Sequence, residues 1–329
     1  MIGRFYRADL GGETHSGPPR RARLIVAVAL GLLATAYIWL FFRNEPTGSG
    51  SDFDIQWVAA RALLKGHSPY EAVEAAGWAW PFYYPLPAAL VSLPFSLLPR
   101  IAARALFVGL STGILAFAVS RRGWWGLLLL LTPSFFHGFY HAQWTPLLVA
   151  ALLLPPIGGL LIVKPSIGLA YFLSRPTIQA VATGTVLLVV SVIVRPEWPS
   201  EWRNSIGDSP HILAPLLRPG GFLLLLSVMY WRRPDARLLV ALACIPHVTL
   251  MYETLPLFTV ARTFRQMAIL VIAAAIGAAF VVREVPVGTA DTLRLARQWP
   301  YLLGFFYLPA LATVLYNGRM AANHSPAPR

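Results

Sequence analysis

Two aspartates lie where a carboxylate could accept a proton. Asp52 and Asp54 follow the first long apolar run of the chain, at the start of a polar stretch. A surface aspartate has an ordinary pKa of about 3.9, so either side chain is ionised at neutral pH and can act as a general base toward a hydroxyl group. The alternative is structural: both carboxylates would supply negative charge to the first turn of a helix that Ser51 caps.

Other ionisable side chains occur within or beside apolar runs. Lys164 precedes a proline at the end of such a run, and His247 and Glu253 interrupt a later one. An ionisable group in the bilayer costs on the order of 3 kcal/mol, so it usually faces a cavity or a partner. Lys164, Arg61 and His247 are therefore candidates for binding a phosphate, and Glu253 for binding hydroxyl groups. Alternatively, Lys164 extends to the interface, Arg61 is solvated, and His247 and Glu253 only join helices.

A third group of polar residues lies among aromatic side chains. His137 and His141 are spaced i, i+4 and share one face if their segment is helical, which is a geometry that a metal ion can use. The sequence places no third ligand beside them, so an aromatic belt at the membrane interface is favoured over a metal site. Gln143 is a candidate for lining a cavity with its amide group, or it belongs to the same interfacial belt.

The composition shows what kind of scaffold must position these residues. The chain has 329 residues, of which 57% are hydrophobic and 12% charged, and its mean hydropathy is +0.60. These values exclude a soluble, disordered or collagen-like protein. The lone Cys244 excludes an intrachain disulfide. Because backbone amides in lipid must bond to one another, the continuous apolar runs predict an all-α integral membrane protein.

The distribution of charge predicts the topology. The net charge is +13, but the arginines lie singly or in pairs between apolar runs, which fits membrane lipids rather than nucleic acid as the partner. Residues 1–23 carry five arginines and predict a cytoplasmic tail. The 19 uncharged residues from Leu24 to Phe42 predict a retained first span, so the next loop faces outward. The abundance of arginine, alanine and leucine is typical of a GC-rich bacterial genome, which predicts the inner membrane of a bacterium.

Further apolar runs predict a polytopic domain over residues 24–316, with about ten spans and a range of about eight to twelve. One segment conflicts with the charge rule: if Tyr84–Leu98 crosses fully, Arg121 and Arg122 lie outside. Either these arginines are exceptions, or the proline-rich segment enters the membrane without crossing it. The runs after the first are Tyr84–Leu98, Ala105–Val119, Trp124–Phe136, Trp144–Val163, Ile178–Val194, Phe222–Trp231, Leu238–Tyr252, Met267–Val282 and Pro300–Tyr316.

Polar segments divide this domain. Residues 43–83 form the predicted first outer loop, 195–220 a second polar loop that could cover a site, and 317–329 a C-terminal tail. Within the first loop, apolar residues at helical spacing predict an amphipathic helix from Ser51 or Asp52 through Leu64, ended by Gly66. We expect this helix to lie along the membrane surface.

The first loop also carries a specific pattern. An aspartate is followed by an aromatic residue, an alanine pair, a leucine pair and then Gly-x-x-Pro-Tyr. This pattern resembles the first outer loop of the polyprenyl-phosphate-mannose-dependent mannosyltransferases, a family of the GT-C superfamily. The residues are Asp52-Phe53, Ala59-Ala60, Leu63-Leu64 and Gly66 to Pro69-Tyr70.

Two further segments extend the resemblance over roughly residues 24–175. Tyr84-Pro85-Leu86-Pro87 is similar to the Tyr-Pro-Pro motif of that family. The segment from Gln143 to Leu148 is similar to its Gly-Gln-x-Asn-x-Leu-Leu motif, with Ala142 in place of glycine and Thr145 in place of asparagine. Lys164-Pro165 follows at a suitable distance.

The resemblance implies a GT-C-like helical bundle that transfers mannose or a related sugar, with inversion, from a polyprenyl phosphate to a glycolipid or glycan of the cell envelope. Reaction would take place at the outer face, without a cofactor or metal, the lipid-linked sugar being a co-substrate. Asp52 would be the general base, with Asp54 as the second candidate. Arg61, Lys164, Gln143 and His247 would hold the donor, and Tyr84, His141 and Glu253 would line the acceptor cavity.

Two other classes of protein share these features. A transporter or flippase for lipid-linked sugars would have the same spans, prolines and intramembrane His247 and Glu253. A membrane scaffold without catalytic function is the other alternative, because Ala142 and Thr145 depart from the motif.

Overall fold

The computed structural model describes residues 17–44, 50–78, 80–207, 212–285 and 291–323. Of these described residues 81% are helical, and none belongs to a strand. Most of the predicted cytoplasmic tail and the end of the C-terminal tail lie outside the described residues. The α-helices are α1 (Arg20–Phe42), α2 (Asp52–Leu64), α3 (Pro69–Ala75), α4 (Leu86–Ser96), α5 (Arg100–Val119), α6 (Pro133–Tyr140), α7 (Thr145–Leu153), α8 (Pro165–Ser174), α9 (Ile178–Val194), α10 (Trp198–Gly207), α11 (Pro234–Cys244), α12 (Phe264–Glu284), α13 (Asp291–Leu302) and α14 (Leu308–Asn323). Segments of 3₁₀-helix cover Ser120–Arg122, Trp124–Leu131, Pro155–Val163, Pro215–Leu217, Gly221–Tyr230 and Met251–Val260, and Leu303–Tyr307 is a π-helix that joins α13 to α14.

The described residues contain four helices that are long and apolar enough to cross a membrane, or five if the bent pair α9 and α10 is one span. They begin with α1, which confirms the first predicted span, and they are compatible with a multi-pass membrane protein. The number is smaller than the eight to twelve predicted. Several other apolar runs are interrupted by proline or glycine and form short helical segments instead, because proline removes a backbone hydrogen bond and its ring obstructs the preceding turn. The four helices that are long and apolar enough to cross a membrane are Arg20–Phe42, Arg100–Arg122, Phe264–Glu284 and Leu293–Asn323.

The first two long helices cross at very short range. A Cβ atom built on Gly109 would lie 2.7 Å from the carbonyl oxygen of Gly31, and one built on Gly113 would lie 2.9 Å from that of Ala27. Only small residues permit this approach of two backbones, which replaces lipid contacts by packing between helices. The α1–α5 pair is therefore the closely packed support from which the polar loop between them emerges.

We expect Gly109→Ala to destabilise the protein by about 1–3 kcal/mol, since the added methyl group would overlap both Gly31 and Thr35 of α1. Thermal unfolding in detergent micelles measures the effect. Gly304→Ala is the matched control, because a Cβ at Gly304 would have no atom within 4 Å. Equal melting temperatures for the two variants would contradict the close crossing.

The directions of α1 and α5 remove the conflict with the charge rule. Arg23, near the start of α1, donates to Ser120 Oγ at 3.2 Å and also to the carbonyl of Phe117, so the two helices are antiparallel. Arg121 and Arg122 thus lie at the end of the molecule where the chain of α1 begins. The intervening α4 has 11 residues, which span about 16 Å, and packs on α2. The structure agrees with the alternative in which Tyr84–Leu98 does not cross fully.

Other arginines gather at the same end. Arg122 Nη1 donates to the carbonyl of Ala261 at 3.4 Å, just before α12. Arg233 Nη1 donates to the carbonyl of Asn317 in α14 at 2.7 Å, and Arg262 lies 3.6 Å from Asp235. We call this the arginine-rich end and the opposite end, which carries α2, the Asp52 end.

The amphipathic helix of the first loop forms as predicted, from Asp52 to Leu64 with Ser51 at its N-cap. The backbone N–H of Ser51 donates to Asp54 Oδ2 at 3.0 Å, as in one half of a capping box. Gly66, with φ of +75°, ends the segment in a conformation that favours glycine. On its other side α2 packs against α4, where Trp57 Nε1 donates to the carbonyl of Leu98 at 3.0 Å. These contacts fix the position of Asp52 above α5.

Candidate functional site

Asp52 lies beside the turn between α6 and α7. Its backbone N–H donates to the carbonyl of His141 at 3.2 Å, which joins the start of α2 to this turn. The side chain of Asp52 is half-buried. Its charge acts on the hydroxyl groups of Tyr84 and Tyr252. The first-loop carboxylate is therefore within electrostatic reach of groups from two other segments, and its backbone is joined to a third.

Lys164 and Glu253 form a buried ion pair at this end of the molecule. Lys164 Nζ contacts Glu253 Oε1, with the glutamate 1% and the lysine 13% exposed. The ammonium group lies 5.0 Å from the centre of the Tyr252 ring, and Thr145 Oγ1 donates to the other carboxylate oxygen at 3.5 Å. The pair joins two segments that are 89 residues apart in the chain. Two residues that the sequence singled out separately thus meet.

Local sequence explains where Lys164 points. It lies between the 3₁₀ segment Pro155–Val163 and α8, with φ of −137° and ψ of 80°. The following proline disfavours the helical conformation at this position, so the chain breaks there. Because the helical register stops, the side chain can turn toward Glu253 instead of continuing along the apolar face of the preceding segment.

Tyr84 completes the cluster. The charges of Lys164, Asp52 and Glu253 all act on its hydroxyl group. Its backbone carbonyl accepts from the Tyr70 hydroxyl at 3.2 Å, which ties it to α3 of the first loop. We refer to Asp52, Tyr84, Lys164, Tyr252 and Glu253 as the carboxylate–lysine cluster. It combines the half-buried carboxylate of Asp52, the Lys164–Glu253 pair and two phenols, a set of groups that can hold and orient hydroxyl groups.

His247 lies behind this cluster. It is 1% exposed, its Nδ1 is 2.9 Å from the carbonyl of Ile245, and its Nε2 is 3.3 Å from the Tyr307 hydroxyl. Both ring nitrogens thus have partners within the protein. The imidazole joins the segment after α11 to the π-helix that precedes α14, as expected for a bond between helices, and it interacts electrostatically with Glu253.

Asp54 and Arg61 lie away from the cluster. The Asp54 carboxylate is fully buried and accepts from both Arg104 Nε, at 3.2 Å, and Arg104 Nη2, with Arg100 at 3.6 Å. It therefore fastens α2 to α5. Arg61 is exposed, and its guanidinium lies 4.6 Å from the centre of the Trp57 ring. These positions match the structural alternatives for both residues.

The two histidines border the cluster. The His137 and His141 rings are 4.9 Å apart, and the His137 ring is 5.2 Å from that of Tyr252. In the described part of the chain, no group of three or more His, Cys, Asp or Glu is placed to hold a metal ion. His141 is exposed, and its backbone carbonyl, rather than its ring, contacts the start of α2.

Gln143 lies in the α6–α7 turn and is 2% exposed. Its Oε1 atom has no hydrogen-bond partner among the described residues. Its backbone N–H donates to the carbonyl of Gly138 at 2.8 Å, which closes the turn against Tyr252. An amide oxygen buried in this way is available to a donor group that enters from the cluster.

The same turn shows what one departure from the motif costs, namely alanine in place of glycine at position 142. Ala142 has φ of 49° and is the one described non-glycine residue with positive φ. This is the position at which the similar motif carries glycine. An L-residue in the left-handed region is strained by roughly 1–2 kcal/mol, whereas glycine adopts the positive φ angle of this turn without strain.

Ala142→Gly is expected to raise the free energy of unfolding by about 1 kcal/mol, less the extra freedom that glycine has in the unfolded chain. Ala150→Gly, in the buried helical part of α7, is the control and should destabilise by at least about 0.5–1 kcal/mol. Denaturation in mixed micelles measures both. Destabilisation by both substitutions would contradict the strained turn.

The second polar loop covers the first. Trp202 Nε1 and Ser205 Oγ in α10 donate to the carbonyls of Tyr83 and Phe82, at 2.9 and 3.0 Å. Glu201 is held by Arg195, with a bond of 2.6 Å from Nε, and this bond keeps the pKa of the Glu201 carboxyl below its ordinary value. The α10 helix therefore lies over the segment that leads to Tyr84.

Sequence reasoning missed Arg104 and assigned no role of its own to Tyr252, which directly precedes Glu253. Arg104 is separated from its partner Asp54 by 50 residues, and no local signal connects the two. The comparisons add no family: no protein-family model matches the chain, and no match is found among curated proteins or solved structures.

Proposed function

We propose that this protein is a multi-pass membrane glycosyltransferase that moves mannose or a related sugar from a polyprenyl phosphate to a glycolipid or glycan acceptor of the cell envelope. The observation that supports the proposal best is the meeting of Asp52, Tyr84, Lys164 and Glu253 at one end of the bundle. The sequence had singled out these four residues separately, Asp52, Tyr84 and Lys164 within the motif resemblance and Glu253 as an ionisable group in an apolar run.

The cluster suits a direct displacement. Asp52 would accept the proton of the acceptor hydroxyl while its oxygen forms a bond to the anomeric carbon of the sugar. The bond from that carbon to the phosphate oxygen breaks on the opposite face, and the electron pair leaves with the polyprenyl phosphate. The products are an inverted glycoside and the free lipid phosphate. The two phenols, and the Gln143 amide oxygen if the sugar reaches it, would orient sugar hydroxyl groups.

The Lys164–Glu253 pair has a positioning role in this scheme. The two charges neutralise each other, which leaves Asp52 as the ionised base in this scheme. Lys164 contacts the ring of Tyr252 and Glu253 accepts from the hydroxyl of Thr145, so the pair would hold both side chains in place. We place the acceptor between Asp52 and Tyr84. A donor that enters from the lipid reaches the same point from the side of Tyr252. The α10 helix, which covers the first loop, would then restrict access of water to the reacting bond.

The test uses the full-length protein in liposomes with a radiolabelled polyprenyl-phosphate sugar and an envelope lipid extract. The expected result is label in a new glycoside of inverted configuration, with release of polyprenyl phosphate. Movement of the labelled lipid between leaflets without a new glycosidic bond would contradict the proposal and support a transporter of lipid-linked sugars. The absence of both activities with several donors would support a scaffold.

A further inference from the structure

A pocket with a volume of about 340 Å³ lies at the Asp52 end, next to the carboxylate–lysine cluster. The polar side chains that line it are His137, Arg294 and Gln298. Its apolar walls come from residues such as Met251, Val281 and Val285. The combination of apolar walls with a few convergent polar groups is typical of a binding site for a small molecule.

The pocket is electropositive. Among the described residues that line it, Arg294 carries the one permanent charge and none is a carboxylate. The charge of Arg294 acts on the His137 ring, whose Nδ1 atom is buried without a protein partner in the described part of the chain. The Gln298 amide is held by its bond of 2.7 Å to the carbonyl of Thr249. A guanidinium group and an unpartnered ring nitrogen in one pocket fit a phosphate.

The apolar side of the pocket continues into the membrane. Val281 and Val282 belong to the C-terminal end of α12, one of the helices that can cross a bilayer, and Val285 directly follows it. Ile269, Ile272 and Val282 on α12 are exposed by 61%, 60% and 75%. The pocket therefore lies where an apolar, lipid-facing helix ends. A cation at that level meets the head of a lipid whose chain runs along the helix.

The pocket adjoins the proposed reaction site through two ring contacts. His137 lies 5.2 Å from Tyr252, and Tyr252 lies 5.0 Å from Lys164 Nζ. Lys164 is paired with Glu253 and His247 with protein groups, so neither offers a free charge to a substrate. Arg294 supplies the positive charge that a leaving phosphate next to this cluster needs.

We infer that this pocket binds the phosphate of a membrane-embedded isoprenoid phosphate. Arg294 and His137 contact the phosphate, and the isoprenoid chain lies along α12. The inference rests on the proposed function for the identity of the lipid. Binding of the lipid is measured without any transfer of sugar, so the binding inference and the proposed transferase function can fail separately.

The experiment measures equilibrium binding of radiolabelled farnesyl phosphate to the full-length protein in lipid nanodiscs. We expect Arg294→Gln to weaken binding by about tenfold or more, since a hydrogen bond to a charged group is lost. Arg297→Gln is the matched control: Arg297 is exposed on the same helix and does not line the pocket, so binding should change by less than about twofold. Arg294→Lys should retain part of the affinity and shows that charge at this position, not folding, is measured.

Competitors identify the ligand. Farnesol, with the same chain and no charge, and inorganic phosphate, with no chain, should both compete poorly. Equal affinity of the wild type and Arg294→Gln for farnesyl phosphate would overturn the inference. Equal competition by phosphatidylglycerol would assign the pocket to bilayer phospholipid instead and overturn the isoprenoid assignment. If binding depends on Arg294 while no sugar is ever transferred, the proposed function is contradicted and the pocket is still assigned as a binding site for isoprenoid phosphate.

Discussion

Asp52→Asn is expected to lower the rate of sugar transfer by about 10²–10⁴-fold, which is the usual contribution of a general base. Asparagine has the same shape as aspartate, but its amide does not accept the proton of the acceptor hydroxyl. The substitution also keeps the volume of this half-buried side chain, so the fold should be retained. Initial rates with a labelled polyprenyl-phosphate sugar measure the effect, together with binding of the donor.

Two variants separate the loss of the base from a general change in charge. Glu74→Gln removes an exposed carboxylate from α3 in the same loop and should leave the rate unchanged. Asp54→Asn should instead lower stability, because it removes the buried partner of Arg104. Unchanged transfer by Asp52→Asn would rule out Asp52 as the base. Loss of donor binding in the same proportion as the rate would assign Asp52 to binding instead.

Removing either partner of the Lys164–Glu253 pair is expected to cost about 3–5 kcal/mol of stability, since each single variant leaves an uncompensated charge in a buried position. Lys164→Met and Glu253→Leu are the single variants. The double variant places two apolar side chains of similar volume together and should recover most of the loss. Denaturant unfolding in mixed micelles, analysed as a double-mutant cycle, measures the coupling energy.

The exposed pair Arg283–Glu284, with 3.4 Å between its charged atoms, is the control for this cycle. Its coupling energy should be below about 1 kcal/mol, because solvent screens exposed charges. Additive effects at Lys164 and Glu253 would show that the two charges are not paired in the membrane. Sugar transfer by the stable double variant would also decide whether the pair positions the site. We expect it to be reduced, since Tyr252 and Thr145 lose their charged contacts.

Features with a local cause could be predicted from the sequence. The first span follows from 19 consecutive uncharged apolar residues, and α2 follows from a cap at Ser51, apolar residues at helical spacing and a stop at Gly66. The motif resemblance also selected Asp52, Tyr84 and Lys164, and the apolar surroundings of Glu253 selected that residue; in the structure Lys164 contacts Glu253, and the charges of Asp52, Lys164 and Glu253 act on Tyr84. The transferase function and the roles of these residues stay proposals that the experiments above test.

The number of spans is the feature that the sequence predicted least well. Hydropathy shows that a run is apolar but not how its backbone bends. The run that contains Pro85, Pro87 and Pro94, for example, forms only the short helix α4. A short apolar helix is stable in such a place only because neighbouring helices satisfy its termini and cover its sides. The same limit left the direction of α5 open until its contacts with α1 were known.

By itself the sequence predicted a helical chain compatible with a multi-pass membrane protein, the end of α1 at Phe42 and both ends of α2, because each of these depends on residues within a few turns of one another. The start of α1 lies four residues before the predicted Leu24, at Arg20. Only the tertiary structure decided the pairing of charges. Asp54 meets Arg104 across 50 residues and Lys164 meets Glu253 across 89, while Arg61 remains at the surface. The reason is that a buried charge takes the partner that packing brings within reach, and packing between distant segments leaves no trace in local composition.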